Sequence, residues 1–216
     1  MIVLPQYDLE IRTCPKVLST SLKAMAFELE HGRELEPRVT KGHLYSVHSV
    51  FPSRPFEMQE QSSMKVRVAF VRDPVERFLS LYKNRILTKH QLSQADFAKL
   101  PQSGLDPNPS LNQLIRNLNR YRKNMPTIDH HAALQVDYLG SDIAYYDRIF
   151  TIEQVPDFED FMSGLAGTEV RLPFHQRSGS KAVEMSWMTE QRIRWYYRRD
   201  YRAFSQVLES GSWVRG

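Results

Sequence analysis

The stretch that most constrains this chain is "KVRVAFVRDPVERFLSLYKNRIL", Lys65 to Leu87. It alternates at first, turns fully apolar over Val68–Val71, and passes with no spacer into a run of helical character whose first turn holds Pro74. Consecutive apolar positions mark a strand buried on both faces, as parallel strands covered by helices are. Proline is tolerated in a first helical turn because the amide it lacks has no partner there. A strand that feeds a helix directly predicts an α/β fold with a central, mostly parallel sheet flanked by helices.

The remaining segments fit that alternation. A strand is expected around Tyr7–Thr13, and a helix from Ser19 to His31 with Gly32 as its stop. "HLYSVHSVF" (His43–Phe51) reads as a second strand, and "PSRPFEMQEQSS" as a polar loop. "LNQLIRNLNRYRKN" predicts a helix ending before Pro126, and "YDRIFTIEQV" another strand. "DFEDFMSGLAG" predicts a short helix closed by Gly167. A long helix is expected over Thr189–Leu208, where Ile193, Tyr196, Tyr197, Tyr201, Phe204 and Leu208 recur at helical spacing. With no repeat and no linker-like segment, residues 1–216 are expected to form one domain.

Composition narrows the partners only slightly. The formal charge of +4 favours anions without choosing among nucleotides, acidic glycans, nucleic acid and acidic membranes. The one cysteine, Cys14, leaves no intramolecular disulfide, which fits a reducing compartment. No apolar run approaches the ~20 residues of a membrane span, and "MIVLPQYDLEIRT" lacks the cationic start of a signal peptide. The expectation is a cytoplasmic protein.

Chemistry concentrates in "CPKVLSTSLKAMAFELEHG", Cys14 to Gly32. A helix that follows a parallel strand presents unpaired N–H groups and the positive end of its dipole at the sheet's carboxyl edge, which suits phosphate and its relatives. Lys16 adds a full charge, and Ser19, Thr20 and Ser21 add donors. The plainer reading is a Ser/Thr cap beside a solvated lysine. A Walker A loop is excluded, since no glycine precedes Glu30. Arg72, at the end of the apolar strand, aims a second fork of donors at the same edge. Surface pairing of Arg72 with Asp73, or of Arg77 with Glu76, is the alternative.

"PKVLSTSLK" resembles the 5′-phosphosulfate loop of sulfotransferases that use 3′-phosphoadenosine 5′-phosphosulfate (PAPS). "VRDPVERFLSLY" resembles the same family's 3′-phosphate motif, which runs from a strand-end arginine to a serine in the next helix. "YYDRIFTIEQVPDFEDF", "FHQRSGSK" and "YYRRDYRAF" are similar to later segments of carbohydrate-type and cytosolic members, which have a P-loop-NTPase-like architecture. The chain departs from the family at Leu18, where many members have glycine or a small residue. The resemblance implies that the turn from Pro15 through Lys16, Ser19, Thr20 and Ser21 to Leu22 takes the 5′-phosphosulfate. It assigns Arg72 and Ser80 to the 3′-phosphate, and Arg177 and Ser178 to the loop closing over the nucleotide.

The implied reaction moves the sulfuryl group of PAPS in line to a hydroxyl, expected to be that of a glycan or glycolipid, and leaves adenosine 3′,5′-bisphosphate. Lys16 is the candidate to neutralise the leaving phosphate. His48 is the candidate base, and its setting resembles the family's strand-borne histidine. His43 is placed on the opposite strand face. The competitor is "DHHAALQ", where His131 and Gln135 resemble an acceptor-shaping "H-x-x-x-Q" feature and Asp129 is a candidate to orient His130 or His131. No metal motif is present. The alternatives are a kinase with an atypical phosphate loop and a non-catalytic anion- or RNA-binding module. Asp200, interrupting "RIRWYYRRDYR", argues against nucleic acid.

Overall fold

The computed structural model describes residues 1–40, 43–58, 63–88, 104–173 and 182–215. In chain order the elements are β1 (Ile2–Leu4), β2 (Leu9–Arg12), α1 (Ser19–His31), β3 (Arg38–Thr40), β4 (His43–Tyr45), α2 (Val47–Val50), β5 (Val66–Val71) and α3 (Pro74–Leu81). A π-helical turn over Tyr82–Thr88 extends α3. There follow α4 (Leu111–Arg116), α5 (Leu118–Asn124), α6 (Pro126–Ala132), α7 (Val136–Leu139), β6 (Arg148–Thr151), α8 (Val155–Ala166), α9 (Trp187–Tyr196), α10 (Arg198–Ser210) and β7 (Ser212–Val214).

The chain divides into two compact units. The first comprises Met1–Arg72, Gln135–Gln176 and Ala203–Gly216; the second comprises Asp73–Leu134 and Arg177–Arg202. In the first unit a sheet of order β1-β2-β5-β6-β7 has β2, β5 and β6 parallel, with β1 and β7 antiparallel on its edges. The expected α/β class with a mostly parallel central sheet is borne out. Val68, Ala69, Phe70 and Val71 are all fully buried, as a strand covered on both faces requires. Leu22, Met25 and Ala26 pack the inner face of α1, and Gly32 stops it at φ 66° with its N–H on Glu28 O. Because β2, β5 and β6 run the same way, Thr13, Arg72 and the residue after Thr151 all leave the sheet at one carboxyl edge.

Glu10 and Arg12 are also buried in this unit. They pair along β2, Tyr145 Oη accepts from Arg12 at 2.9 Å, and Phe56 lies 4.4 Å under the guanidinium.

The second unit is helical, built around Phe78, Leu81, Leu114, Ile128, Ile193 and Tyr197. Two expected long helices are broken here. The segment before Pro126 parts at Asn117 (φ −111°, ψ 17°), whose side-chain amide donates to Gln113 O at 3.1 Å and competes with the helix ladder. The C-terminal helix parts at Tyr197, which is buried with its hydroxyl donating to Ala132 O at 2.9 Å. The strand expected over His43–Phe51 ends at Tyr45. Ser46 accepts from His48 N and the Ser49 hydroxyl accepts from Ser46 N, so a reciprocal cap starts α2 instead.

Candidate active site

The turn from Thr13 to Leu18 joins β2 to α1. The Thr13 hydroxyl donates to Val17 O, and Val17 N donates to Cys14 O at 3.3 Å, drawing the backbone into a tight loop. Lys16 (φ 69°) and Leu18 (φ 50°) both adopt left-handed backbone, at roughly 1–2 kcal/mol for each non-glycine residue. The departure at Leu18 is therefore absorbed as strain, and the residue keeps the backbone geometry that glycine favours. Alternating backbone of this kind turns successive N–H groups toward one point, an anion-binding nest. Leu18 is also the N-cap of α1, and its side chain offers no acceptor. The first-turn amides are left to whatever binds there. Lys16, Ser19 and Thr20 line this mouth half-exposed, Ser21 is largely buried, and Pro15 and Leu22 are buried beneath the turn.

The second motif meets the first. Arg72 Nη1 donates to Lys16 O at 3.5 Å, across 56 residues of sequence. Gln135, fully buried, fixes the strand end from which that guanidinium projects: its Oε1 accepts from Arg72 N at 3.0 Å and its Nε2 donates to Arg72 O at 2.9 Å. The Cys14 thiol lies 3.8 Å from the same Oε1. Gln135 thus supports the edge of the sheet.

Asp73 caps α3, accepting from Val75 N at 2.8 Å and Glu76 N at 3.1 Å, and receives the Tyr201 hydroxyl at 2.9 Å. Arg77 is buried against the carbonyls of His131 and Ala133, where a cation at a helix C-terminus belongs. Ser80 is buried in α3 of the second unit. Arg177 and Ser178 lie outside the described residues.

The two histidine sites differ in their partners. His48, exposed on α2, places Nε2 3.1 Å from Thr20 Oγ1, beside the mouth of α1. Its Nδ1 lies 3.2 Å from Nζ of Lys23, which also donates to Ser53 Oγ at 2.8 Å. Lys23 is 1% exposed, and burial pushes its ammonium down from the usual lysine range to about 8. His131 stacks edge-on with His130 and has its Nε2 against the Arg85 guanidinium. Asp129 orients neither ring; its carboxylate pairs with Arg122 at 2.7 Å.

Lys23 was missed from the sequence. One turn into a helix beside Lys16, it has the look of a solvated cation, and its spacing from Ser19 (i, i+4) is the one faint signal. Among the described residues, no group of three His, Cys, Asp or Glu side chains is arranged to hold a metal. No helix among them is long and apolar enough to cross a membrane.

Three parallel strands with a tight left-handed turn at the carboxyl end of the first, and a strand-end arginine reaching onto that turn, define the class: an α/β protein of P-loop-like architecture. Comparison with family models goes further. The model of the sulfotransferase family matches residues 1–210, and the chain belongs to that family. It is thus an enzyme of a family whose members draw their sulfuryl group from PAPS. Comparisons with curated proteins and with solved structures return no significant match.

Proposed function

We propose that this chain transfers the sulfuryl group of PAPS to a carbohydrate hydroxyl, with His48 as general base. The observation that carries the reading is convergence: Arg72 on Lys16 O at 3.5 Å, and His48 on Thr20 at 3.1 Å, both at one uncapped helix mouth. The nest at Lys16 and Leu18 and the first-turn amides suit a tetrahedral, multiply charged end group. The bound donor supplies an activated sulfuryl group and a phosphate leaving group. Lys16 supplies a cation beside that phosphate, and its attraction grows as negative charge develops there. Ser19, Thr20 and Ser21 add hydroxyl donors. Arg72 takes the 3′-phosphate, and the family resemblance alone assigns Ser80 to that phosphate and Arg177 and Ser178 to the nucleotide.

His48 Nε2 is the ring nitrogen that faces the turn, so it is the atom that receives the acceptor's proton. His131 is a weaker candidate, since its Nε2 is engaged by a guanidinium. The uninterrupted family match through both units supports one sulfotransferase domain over residues 1–216. A groove of about 540 Å³ in the second unit, with Trp187 and Trp195 beside Arg116, Arg120 and Arg192, supports an anionic glycan acceptor. Indole faces stack on sugar rings and guanidinium forks suit sulfate or carboxylate. The lone, buried Cys14 fits a cytoplasmic site of action.

The test is transfer of radiolabelled sulfuryl from PAPS to a panel of neutral and acidic oligosaccharides without divalent metal. Label should appear in at least one glycan, and His48→Ala should lower kcat by about 10²–10⁴-fold with affinity for adenosine 3′,5′-bisphosphate unchanged. His131→Ala should stay within a few-fold of the parent. Full turnover in His48→Ala removes the base assignment, and label in no hydroxyl acceptor removes the reading.

A further inference from the structure

The Lys23–His48–Thr20 chain has a consequence for proton movement that rests on the reading of His48 as base. A histidine acts at Nε2 only if that nitrogen carries a lone pair, so its ring proton must sit on Nδ1. The partner of Nδ1 decides the matter, and here it is not a carboxylate but an amine, at 3.2 Å. A neutral Lys23 accepts from Nδ1–H through its single lone pair and still donates to Ser53. An ammonium has no lone pair. It donates into Nδ1, and the ring proton then occupies Nε2, where it blocks the base.

We propose that Lys23 is the positioning residue and proton relay for His48. The acceptor hydroxyl oxygen forms its bond to sulfur while the bond from sulfur to the nucleotide's phosphate oxygen breaks, the electron pair leaving with that oxygen. The hydroxyl proton goes to Nε2 of His48, and the Nδ1 proton passes to Nζ of Lys23. The step ends with a neutral imidazole and a lysine ammonium, and solvent exchange restores the starting state.

Geometry sets this amine apart among the lysines of the described residues. It is 1% exposed, held from one side by His48 on α2 and from the other by Ser53 beyond it. Among the described residues, the titratable and charged groups near it are the Met1 amine ahead of β1, which burial pushes down to about 5, Glu10 and Arg12 on β2, and Arg54 next to Ser53; Lys23, Arg12, Glu10 and Arg54 all act on that amine. Burial brings Lys23 down to about 8, close enough to a histidine's ~6.5 for one shared proton to move between them. The two groups then titrate as a pair. Below about pH 8 the pair holds the extra proton and the base is blocked; above it, Nε2 carries its lone pair. The rate should rise with pH through about 8, not through ~6.5 as for an isolated histidine.

The decisive readout needs no substrate: the ring-nitrogen chemical shifts of His48 in the ¹⁵N-labelled full chain, assigned by difference from His48→Gln and followed from pH 5.5 to 9.5. The expected result is a bare Nε2 with Nδ1–H above pH 8, converting to Nε2–H as pH falls through about 8. In Lys23→Met that step should vanish and leave one simple imidazolium titration at about 6.5. The matching activity profile of Lys23→Met should lose about tenfold in kcat above pH 8. Its deficit should close toward pH 6.5, with KM for the donor within threefold, a pattern that loss of packing does not produce. If Lys23→Met does not fold, the parent's own step near pH 8 decides. A His48 that titrates near 6.5 with Lys23 intact, or whose Nδ1 is bare at pH 9, overturns the relay. An essential His48 with no such coupling sinks the relay alone, whereas a dispensable His48 sinks the reading beneath it.

Discussion

At the end of β2 the mouth of α1 is left uncapped under Leu18, whereas at the end of β5 the mouth of α3 is filled by the carboxylate of Asp73, bonded to Val75 N and Glu76 N. Both junctions are strand, short turn, helix, and both helices bring the same dipole to the end of a parallel strand. They differ in which group satisfies the first-turn amides. In the first junction the backbone donors stay open, at the cost of two left-handed residues. In the second a side chain has closed that option, and the anion binding proposed above passes to Arg72, whose backbone N–H and C=O are held by the Gln135 side chain. A helix N-terminus is thus only half of a site; the neighbouring residue decides whether it is available.

Substitutions at the two junctions should separate these roles. The largest effect is expected at the uncapped mouth: Lys16→Met should cost about 10²–10³-fold in kcat, the usual loss for one preorganised partner of a developing charge, with a much smaller change in bisphosphate affinity. Single-turnover rates check it, and a kcat within threefold of the parent would remove Lys16 from the chemistry. Arg72→Ala comes next, with a loss of about 10–100-fold in affinity for the bisphosphate, the worth of a charge-assisted contact, and an unchanged melting temperature. Calorimetry beside a thermal melt tests both halves of that statement. The smallest functional effect is expected at the closed mouth. Asp73→Ala should lower stability by about 1–2 kcal/mol through the lost cap, and should leave bisphosphate affinity within twofold. A large loss of affinity in that variant would mean that the two junctions are not different after all.

Much of this was legible in the sequence because it is local. Helix α1 was readable from its apolar spacing and Gly32, and β5 from an apolar run that only a covered strand tolerates. Lys16 and Arg72 could be placed because each sits where a strand meets a helix. The hidden parts depend on contacts between distant segments or on caps with weak signatures. "SVHS" alternates like a strand, and the serine-to-serine cap that turns it into α2 lacks the usual Glu or Gln. Lys23 is buried, with His48 of α2 and Ser53 meeting its amine from segments distant in sequence. Asn117 and Tyr197 interrupt helices without a proline or glycine to announce it. The edge strand β7, of three residues, is too short for any periodicity to show.

The central claim is that one nucleotide, charged at both ends, spans the Lys16 turn and Arg72. It is tested most directly by titrating the full chain, without metal, with adenosine 3′,5′-bisphosphate and in parallel with ADP and with ATP plus Mg²⁺. The account predicts micromolar binding of the bisphosphate, at least tenfold tighter than either of the others, with that margin abolished in Arg72→Ala. Equal affinity for all three, or a preference for the magnesium nucleotide, would contradict it.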